Sequence, residues 1–414
     1  MKMSTNALEA SFPGTVGRLV PLMVSMMIAN PVRADEETDI LSPYVGARYV
    51  YDSNFFRIQD EATALARLGT TERAESYMRL LAGASFDLNV SRQRLRAKAE
   101  AHHTRFSQFD ALDFDGHAFE LAWDWVAGGR LNGILGINER VDQGSFVNIQ
   151  RPVENLVTTR KKFARGVIEV GAPWKIRLDV ENDELRNSLP SQQAQNFSVD
   201  TLRAGLQYQT RKGSTLAFTS QKSEGRYPNR EIIGTAPVDN DFVQWDNGIQ
   251  ATWEPTGKTE LKGVLNYTRR RYDDVPQRNF SGVTGSLAGT WSVTGKSALK
   301  LLLGRNIGVV ENTTASYSVN SSVALSAAYK ASAKLDLDMV LARYRIEYAG
   351  DPGFVLSAGP AREDTLDSLR IGANYAVLRN TRLGIAVQRG INASNRPQSS
   401  YTYNSVMLNL SGAF

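Results

Sequence analysis

Long segments of this chain alternate between apolar and polar residues, and this period-two pattern limits the possible folds more than any other feature. In Tyr77–Val90 every even-numbered position is Met, Leu, Ala, Phe or Val, whereas most odd-numbered positions are polar or small. A short turn at Ser91–Gln93 follows, and Arg94–Phe106 alternates again. Successive side chains of a β-strand point to opposite faces. Each segment therefore predicts a long strand with one apolar face.

The alternation continues to the C-terminus, and the strands are joined by two kinds of connection. Short turns are predicted at Ser91–Gln93, Gly128–Gly129, Ala172–Trp174, Arg211–Gly213, Pro255–Gly257, Thr294–Lys296, Lys330–Ser332 and Leu378–Asn380. Longer, more polar connections are predicted near Gln59–Thr71, Asp142–Val157, Arg186–Phe197, Gly225–Asp241 and Gly350–Arg362. Eight short and nine long connections give 18 strands, with 16 as the alternative count. We therefore predict an all-β fold, a transmembrane antiparallel outer-membrane β-barrel with short periplasmic turns and longer extracellular loops.

A soluble β-sandwich is the alternative fold, because alternation alone does not distinguish lipid from a protein core. Three features favour the barrel. The strands are longer than the roughly 5–6 residues usual in globular sheets, and Trp and Tyr lie near strand ends on the apolar face, as in membrane-interface girdles. The chain also ends on an aromatic residue, Phe414, in an amphipathic strand. A terminal aromatic of this kind is typical of the signal read by the barrel assembly machinery, which we expect as a partner.

Composition excludes several other classes of protein. After the first 30 residues no apolar run approaches the roughly 20 residues of a spanning helix. The chain has no cysteine and three histidines, which excludes thiolate chemistry and leaves histidine chemistry few places. Lys and Arg number 48 against 43 Asp and Glu, a small excess that gives no reason to expect a nucleic-acid partner. We expect neither an enzyme nor a metal or other cofactor.

The first 34 residues are predicted to be a secretory signal peptide. Lys2 supplies positive charge, Leu19–Ala29 is an apolar stretch too short to span a bilayer, and Val32 and Ala34 are small residues at positions −3 and −1. We expect cleavage after Ala34, which leaves residues 35–414 as an integral protein of the bacterial outer membrane. Cleavage removes three basic residues and one acidic residue, so the net charge falls from +5 to +3. A buried core helix is the alternative.

If the apolar face meets lipid, the polar face lines the interior, and 18 strands enclose enough space for an aqueous channel. The side chains predicted to line the path of a solute are Arg48, Tyr77, Arg79, Arg94, Arg96, Lys98, Arg140, Arg177, Arg203, Lys262, Arg270 and Arg370. Arg94, Arg96 and Lys98, with Arg79 nearby, form the densest group, which we call the basic ladder. Rings of charge set selectivity in pores, so this interior predicts anionic or polyhydroxylated solutes. The alternative is that the charges pair across strands and stiffen the wall.

Two smaller features carry weaker predictions. The numbers of His103 and His117 sum to 220, as do those of Ala101 and Phe119, so the two histidines could face each other across a hairpin. Two imidazoles are too few for a metal site, and we expect them to lie at the membrane interface. The connection Gln59–Thr71 could form a short helix that folds into the interior.

A family resemblance is carried by three stretches in the first half of the chain. The first is Leu41–Arg57, which reads LSPYVGARYVYDSNFFR. The others are Ser91–Leu95 and the pair Leu121–Trp125 and Gly128–Gly133. These stretches resemble the EpsL family, outer-membrane barrels associated with exopolysaccharide biosynthesis in bacteria. In the second half the likeness consists of the strand rhythm only.

The resemblance implies a role in carrying a secreted polysaccharide across the outer membrane. It also implies a periplasmic polysaccharide-export protein as a partner and a surrounding of outer-membrane lipid and lipopolysaccharide. The leading hypothesis is a passive, porin-like conduit for export of an exopolysaccharide, with an acidic polymer as one option. The alternatives are a general or oligosaccharide-specific uptake porin, an outer-membrane hydrolase, and a structural adhesin with a blocked interior.

Overall fold

The structure is a computed structural model that describes residues 40–233, 236–274, 276–312, 315–349 and 360–414. The predicted signal peptide lies outside these described residues, as does most of the connection predicted at Gly350–Arg362.

Twenty strands are present in the described residues, and eighteen of them form one antiparallel sheet. In the first half they are β1 (Leu41–Asp52), β2 (Glu75–Val90), β3 (Gln93–Phe106), β4 (Phe114–Ala127), β5 (Leu131–Gln143), β6 (Leu156–Gly171), β7 (Trp174–Asn187), β8 (Phe197–Gln209) and β9 (Thr215–Arg226). Two short strands, β10 (Glu231–Ile233) and β11 (Ala236–Val238), form a separate hairpin in the connection after β9.

The second half of the sheet has the same plan. Its strands are β12 (Phe242–Thr256), β13 (Thr259–Tyr272), β14 (Phe280–Ser292), β15 (Ser297–Asn312), β16 (Ala315–Lys330), β17 (Leu335–Ala349), β18 (Glu363–Leu378), β19 (Thr381–Ser394) and β20 (Tyr401–Ala413). In the described part of the chain two α-helices lie in connections, α1 (Glu61–Leu68) and α2 (Phe146–Ile149). Short 3₁₀ turns occur at Asp110–Leu112, Pro190–Gln195 and Pro276–Arg278.

The sheet closes on itself. Each strand pairs with its neighbours along the chain, β9 pairs with β12 across the β10–β11 hairpin, and β1 pairs with both β2 and β20. At the closing seam Arg48 of β1 lies opposite Arg79 on one side and Asn409 on the other. Closure leaves no strand at an open edge of the sheet, so inter-strand backbone groups find partners within the wall, except beyond Gly285 and Arg305, where β14 and β15 are not paired with each other. The predicted 18-strand barrel is confirmed.

The connections fall into the two predicted groups. All eight predicted short turns join consecutive strands at one end of the barrel, which we call the short-turn end. The other nine connections lie at the long-loop end, and the longest described one runs from Asp52 to Glu75. One of these nine departs from the pattern, because β15 and β16 are separated by residues 313–314 alone.

The two faces of the wall differ as the alternation predicts. Large apolar side chains point away from the ring and are exposed, among them Leu178, Leu206 and Leu341, each with about half of its surface open. A continuous exposed apolar surface of this size is stable only against lipid. The fold is therefore that of an integral outer-membrane barrel. Within the described residues, no helix has the length and apolar character needed to cross a bilayer.

Replacement of a lipid-facing residue by arginine tests which face meets the membrane. Leu135 in the middle of β5 is exposed on the outer face, and Ile134 beside it faces inward between Asp124 and Arg165. Leu135→Arg should lower the free energy of unfolding in lipid vesicles by about 2–4 kcal/mol. The matched variant Ile134→Arg should change it much less, because the inward arginine reaches water and Asp124. Equal losses in the two variants would contradict the assignment of faces.

Candidate functional site: the barrel interior

The strand register places the side chains predicted for the solute path on one face of the wall. Arg48 lies opposite Arg79, Arg79 opposite Thr104, and Lys98 opposite Glu120. Because directly opposed residues point to the same side of a sheet, this parity can be followed around the whole ring. It assigns to the inner face Arg48, Tyr77, Arg79, Arg94, Arg96, Lys98, Arg140, Arg177, Arg203, Lys262, Arg270 and Arg370. Their contact with a solute stays a prediction.

The basic ladder is largely paired with acids. Arg94 pairs with Asp87 on β2, and Arg96 pairs with Asp124 on β4 at 2.7 Å. Arg79 reaches across β3 and β4 to Asp142 of β5 at 2.9 Å. Three of the four cations therefore face a carboxylate, and the alternative of cross-strand pairing describes this part of the wall.

The same arrangement recurs around the ring. Further inward ion pairs join Arg140 to Asp142 at 2.5 Å, Arg203 to Asp179 at 3.3 Å, Lys262 to Glu260 at 2.9 Å and Arg370 to Asp338 at 2.5 Å. Partly exposed pairs of this kind contribute about 0–1 kcal/mol each to stability. Their larger effect is electrostatic, because each one replaces a free positive charge by a short dipole. Arg140 is the most open of these cations, with 59% of its side chain exposed.

Four of the predicted cations have no carboxylate partner within the described residues. Arg48 donates to Asn409 Oδ1 at 2.6 Å, and Arg177 donates to Gln207 Oε1 at 3.5 Å. The Lys98 ammonium lies 5.3 Å from the centre of the Tyr44 ring. Arg270 donates to Gln244 Oε1 at 2.7 Å and is almost completely buried, so a passing solute does not reach it in this structure.

The first long connection, residues 53–74, folds against the inner face at the long-loop end. Within it, Asp60 caps α1 by accepting a hydrogen bond from Thr63 N at 2.7 Å, which lowers the pKa of the Asp60 carboxyl. Gly69 ends the helix with a φ of 76°, a left-handed conformation that favours glycine. The short helix predicted in this connection is present.

An aromatic cluster fixes the connection to the wall. Phe56 and Ile58 are fully buried and pack with Phe106 and Phe114, which have inner-face parity on β3 and β4. Phe55 meets the Tyr77 ring at 6.1 Å and the Phe106 ring at 5.6 Å. Tyr77, predicted to line the solute path, is thus covered by the connection and anchors it.

Arg57 makes the polar anchor of this connection. Its guanidinium forms two hydrogen bonds with the Asp52 carboxylate, at 2.8 and 2.9 Å, and lies 3.7 Å from the centre of the Tyr403 ring. Burial alone would lower the pKa of Arg57, but the charge and hydrogen bonds of Asp52 hold it above its ordinary value. Asn54 adds a bond to the Thr402 carbonyl at 2.9 Å. The connection is therefore joined to β1 and β20 on one side and to β2–β4 on the other.

The paired charges and the aromatic cluster are in contact. The Arg79 guanidinium lies 5.6 Å from the centre of the Phe114 ring while it also binds Asp142. Gln150, which follows α2, donates to the Arg57 carbonyl at 2.7 Å and so links the next long connection. Together these groups form one ordered side of the interior.

The histidines do not face each other as the hairpin arithmetic suggested. In the β3–β4 register opposed numbers sum to 218, so His103 lies opposite Asp115 and His117 opposite Ala101. His103 binds Asp115 at 2.9 Å on the outer face. The prediction was wrong because the β3–β4 hairpin is centred on residue 109, whereas the assumed sum of 220 places its centre at residue 110. In the described residues no group of three or more His, Asp or Glu is placed to hold a metal ion.

The sequence did not predict that Phe55, Phe56 and Arg57 anchor the first long connection to the wall. These residues served only as part of a family resemblance. The available signal was a pair of phenylalanines followed by arginine just after a strand, since loops exposed to water rarely carry two large apolar residues together.

Comparison with known proteins supports the barrel. The family described as "Putative beta-barrel porin 2" matches residues 260–414, less than half of the chain. That match lies in the half where the EpsL resemblance has no motif. No curated protein sequence is similar enough to count as a relative.

Solved structures show the same fold at low sequence identity. OccK2 (OpdF) of Pseudomonas aeruginosa is 11% identical, with a TM-score of 0.52 over 90% of this chain and 98% of that one. The outer membrane protein opdK from the same organism is also 11% identical, with a TM-score of 0.50 over 90% and 99%. At this identity the likeness establishes the barrel architecture alone.

Removal of the Arg57 anchor should release the first long connection. Arg57→Ala leaves the buried Asp52 carboxylate without its partner, a change that costs roughly 3–5 kcal/mol in buried pairs. Trypsin should then cleave the micelle-bound protein after Arg67 or Arg73 about tenfold faster or more. The control is Arg151→Ala, since Arg151 is exposed and has no ion pair among the described residues. Unchanged cleavage in Arg57→Ala would show that the aromatic cluster holds the connection alone.

Proposed function

We propose that this protein is a passive, porin-like conduit that carries hydrophilic solutes through the outer membrane. The observation that carries the proposal is the inner face of the closed 18-strand ring, which is lined by charged and amide side chains. Eighteen-stranded barrels with polar interiors leave room for water. The "Putative beta-barrel porin 2" match over residues 260–414 supports the same class.

The pairing of the inner charges supports a polyhydroxylated solute. Arg96 with Asp124, Arg203 with Asp179 and Arg370 with Asp338 present donors and acceptors side by side. Sugar hydroxyls both donate and accept hydrogen bonds, so they can exchange partners along such a surface without a net charge. A strongly acidic polymer would instead meet a carboxylate beside most of these cations. We therefore favour a neutral or weakly charged polysaccharide over the acidic polymer considered from sequence.

Export of an exopolysaccharide is the direction we propose. It is supported by the resemblance of Leu41–Arg57 and the later stretches to the EpsL family. The proposed partners are a periplasmic polysaccharide-export protein, the barrel assembly machinery, which would read Phe414, and the surrounding lipopolysaccharide. The energy would come from polymer synthesis, because a passive conduit supplies none. Cleavage near Ala34 would precede insertion.

The absence of cysteine in the chain makes a direct test possible. Lys98→Cys introduces a single thiol on the inner face, and Ala97→Cys places one on the adjacent outer-face position. A bulky thiol reagent should reduce the planar-bilayer conductance and the export of surface polymer of Lys98→Cys, because it obstructs the interior. The same reagent should leave Ala97→Cys nearly unchanged.

Deletion of the gene separates export from the alternative of an uptake porin. Export predicts that surface polymer disappears while polymer accumulates inside the cell. Normal surface polymer combined with lower uptake of oligosaccharides would establish the uptake porin instead. If the deletion affects neither surface polymer nor oligosaccharide uptake, and the thiol reagent does not reduce the conductance of Lys98→Cys, a conduit of either kind would be excluded.

A further inference from the structure

The strand pairing of the barrel wall is interrupted between β14 and β15. Their register runs from Ser292 opposite Ala298 to Gly285 opposite Arg305 and continues no further toward the long-loop end. Above that point β14 stays paired with β13, and β15 stays paired with β16. The two strands therefore part halfway up the wall.

The upper part of β15 and β16 turns toward the interior. Ile307 and Val319 have outer-face parity, yet both are buried and pack against Phe280, which has inner-face parity on β14. This contact places Ile307 of β15 and Val319 of β16 over the inner side of β14. A recess lies where the two strands part; most of its lining residues have outer-face parity, and Thr284, Ser286 and Ser322 are among those with inner-face parity.

The recess is an apolar groove of about 500 Å³. That volume lies within the range of ordinary ligand sites. Its outer-face lining includes Ile249, Gly263, Leu265, Leu287, Leu303 and Arg305. Gly263 leaves its floor open, since a Cβ there would approach nothing closer than Leu287 Cδ1 at 3.6 Å. Nearly all of the groove surface is apolar, so an aliphatic chain fits it better than a sugar or a peptide.

A single cation stands at the rim of this groove. Arg305 is exposed on the outer face, and its cross-strand neighbours are Gly285 and Ser321. It has no hydrogen bond or ion pair with any described residue. The comparison is Arg343, which follows the apolar outer residues of β17 as Arg305 follows those of β15, but binds Asp367 at 2.6 Å. An unpaired arginine at the edge of a lipid-facing surface is costly unless an anion meets it.

Further cations extend the positive charge toward the long-loop end. Arg269 and Arg271 are exposed on the outer face of β13, above Leu265, and neither has an ion pair within the described residues. Tyr267, between Leu265 and Arg269, is an exposed outer-face aromatic of the kind that marks a membrane interface. Long loops of outer-membrane barrels face the cell exterior. The cations are thus level with the outer leaflet, whose lipopolysaccharide carries phosphate.

We propose that the groove between β14 and β15 binds one lipid A moiety of lipopolysaccharide, with an acyl chain against Gly263 and Leu287 and a phosphate on Arg305. The juxtaposition of an apolar groove with an unpaired arginine carries the assignment. The acyl chain fills the space left where the hairpin turns inward, and the phosphate supplies the anion that the described side chains do not. The site is independent of what passes through the interior.

Native mass spectrometry of the intact, detergent-released protein titrated with purified lipid A tests the site. The wild type should retain one lipid A at collision energies that strip the detergent. Arg305→Gln should weaken retention about tenfold, as expected for loss of a charge-assisted contact. Gly263→Leu, whose Cβ would meet nothing closer than 3.6 Å and whose side chain would occupy the groove, should weaken it as well. Arg343→Gln is the matched control and should bind like the wild type.

Four results would overturn the proposal. Equal retention by Arg305→Gln and the wild type would remove the phosphate contact, and equal retention by Gly263→Leu would remove the groove. Equal loss in Arg343→Gln would show a general effect of outer-face charge. Phosphatidylglycerol that binds as tightly as lipid A, with the same dependence on Arg305, would assign the groove to another anionic lipid. Heat-induced gel shifts confirm that each variant is folded before it is scored.

Discussion

Closure of the sheet between β1 and β20 is the constraint on which the rest of the structure depends. The two strands pair from Tyr44 opposite Ala413 to Asp52 opposite Ser405, and this pairing removes the only free edges that an open sheet would expose. In lipid an unpaired backbone edge costs several kcal/mol for each group. Closure also forces each strand to divide its side chains between an outer and an inner face. The apolar belt and the polar interior both follow from it.

The interior meets a second requirement, because charged groups inside a narrow space must be solvated or paired. Ion pairs satisfy this requirement. Arg79 of β2 reaches Asp142 of β5, three strands away, whereas Arg203 of β8 pairs with Asp179 on the adjacent strand β7. The result is a surface that is polar and fixed but carries little net field. The first long connection adds a rigid aromatic mass at one side of the opening, held by Arg57 and Phe56. In the proposed conduit, such a surface would accept sugars and would not select strongly by charge.

Sequence alone predicts the fold well, because alternation and turn positions depend on local residues. It also predicts the inner-face position of residues such as Arg96 and Arg370, since parity needs only the strand and its lipid-facing side. Sequence alone fails where a side-chain contact depends on the register between two strands. The shift from 220 to 218 in the β3–β4 hairpin separates His103 from His117, and no pattern in the chain fixes that shift. Nor does a local pattern show that β15 and β16 leave the wall above Arg305, because that depends on how Ile307 and Val319 pack on Phe280.

The reversal potential of the wild-type protein in a planar bilayer tests the central claim most directly. The claim is that the interior is an open, hydrated path whose charges largely cancel in ion pairs. Under a tenfold gradient of potassium chloride the account predicts steady conductance and a reversal potential close to zero. A perfectly selective pore would give about 59 mV for one unit charge. A value near that limit, of either sign, or a complete lack of conductance, would contradict the account.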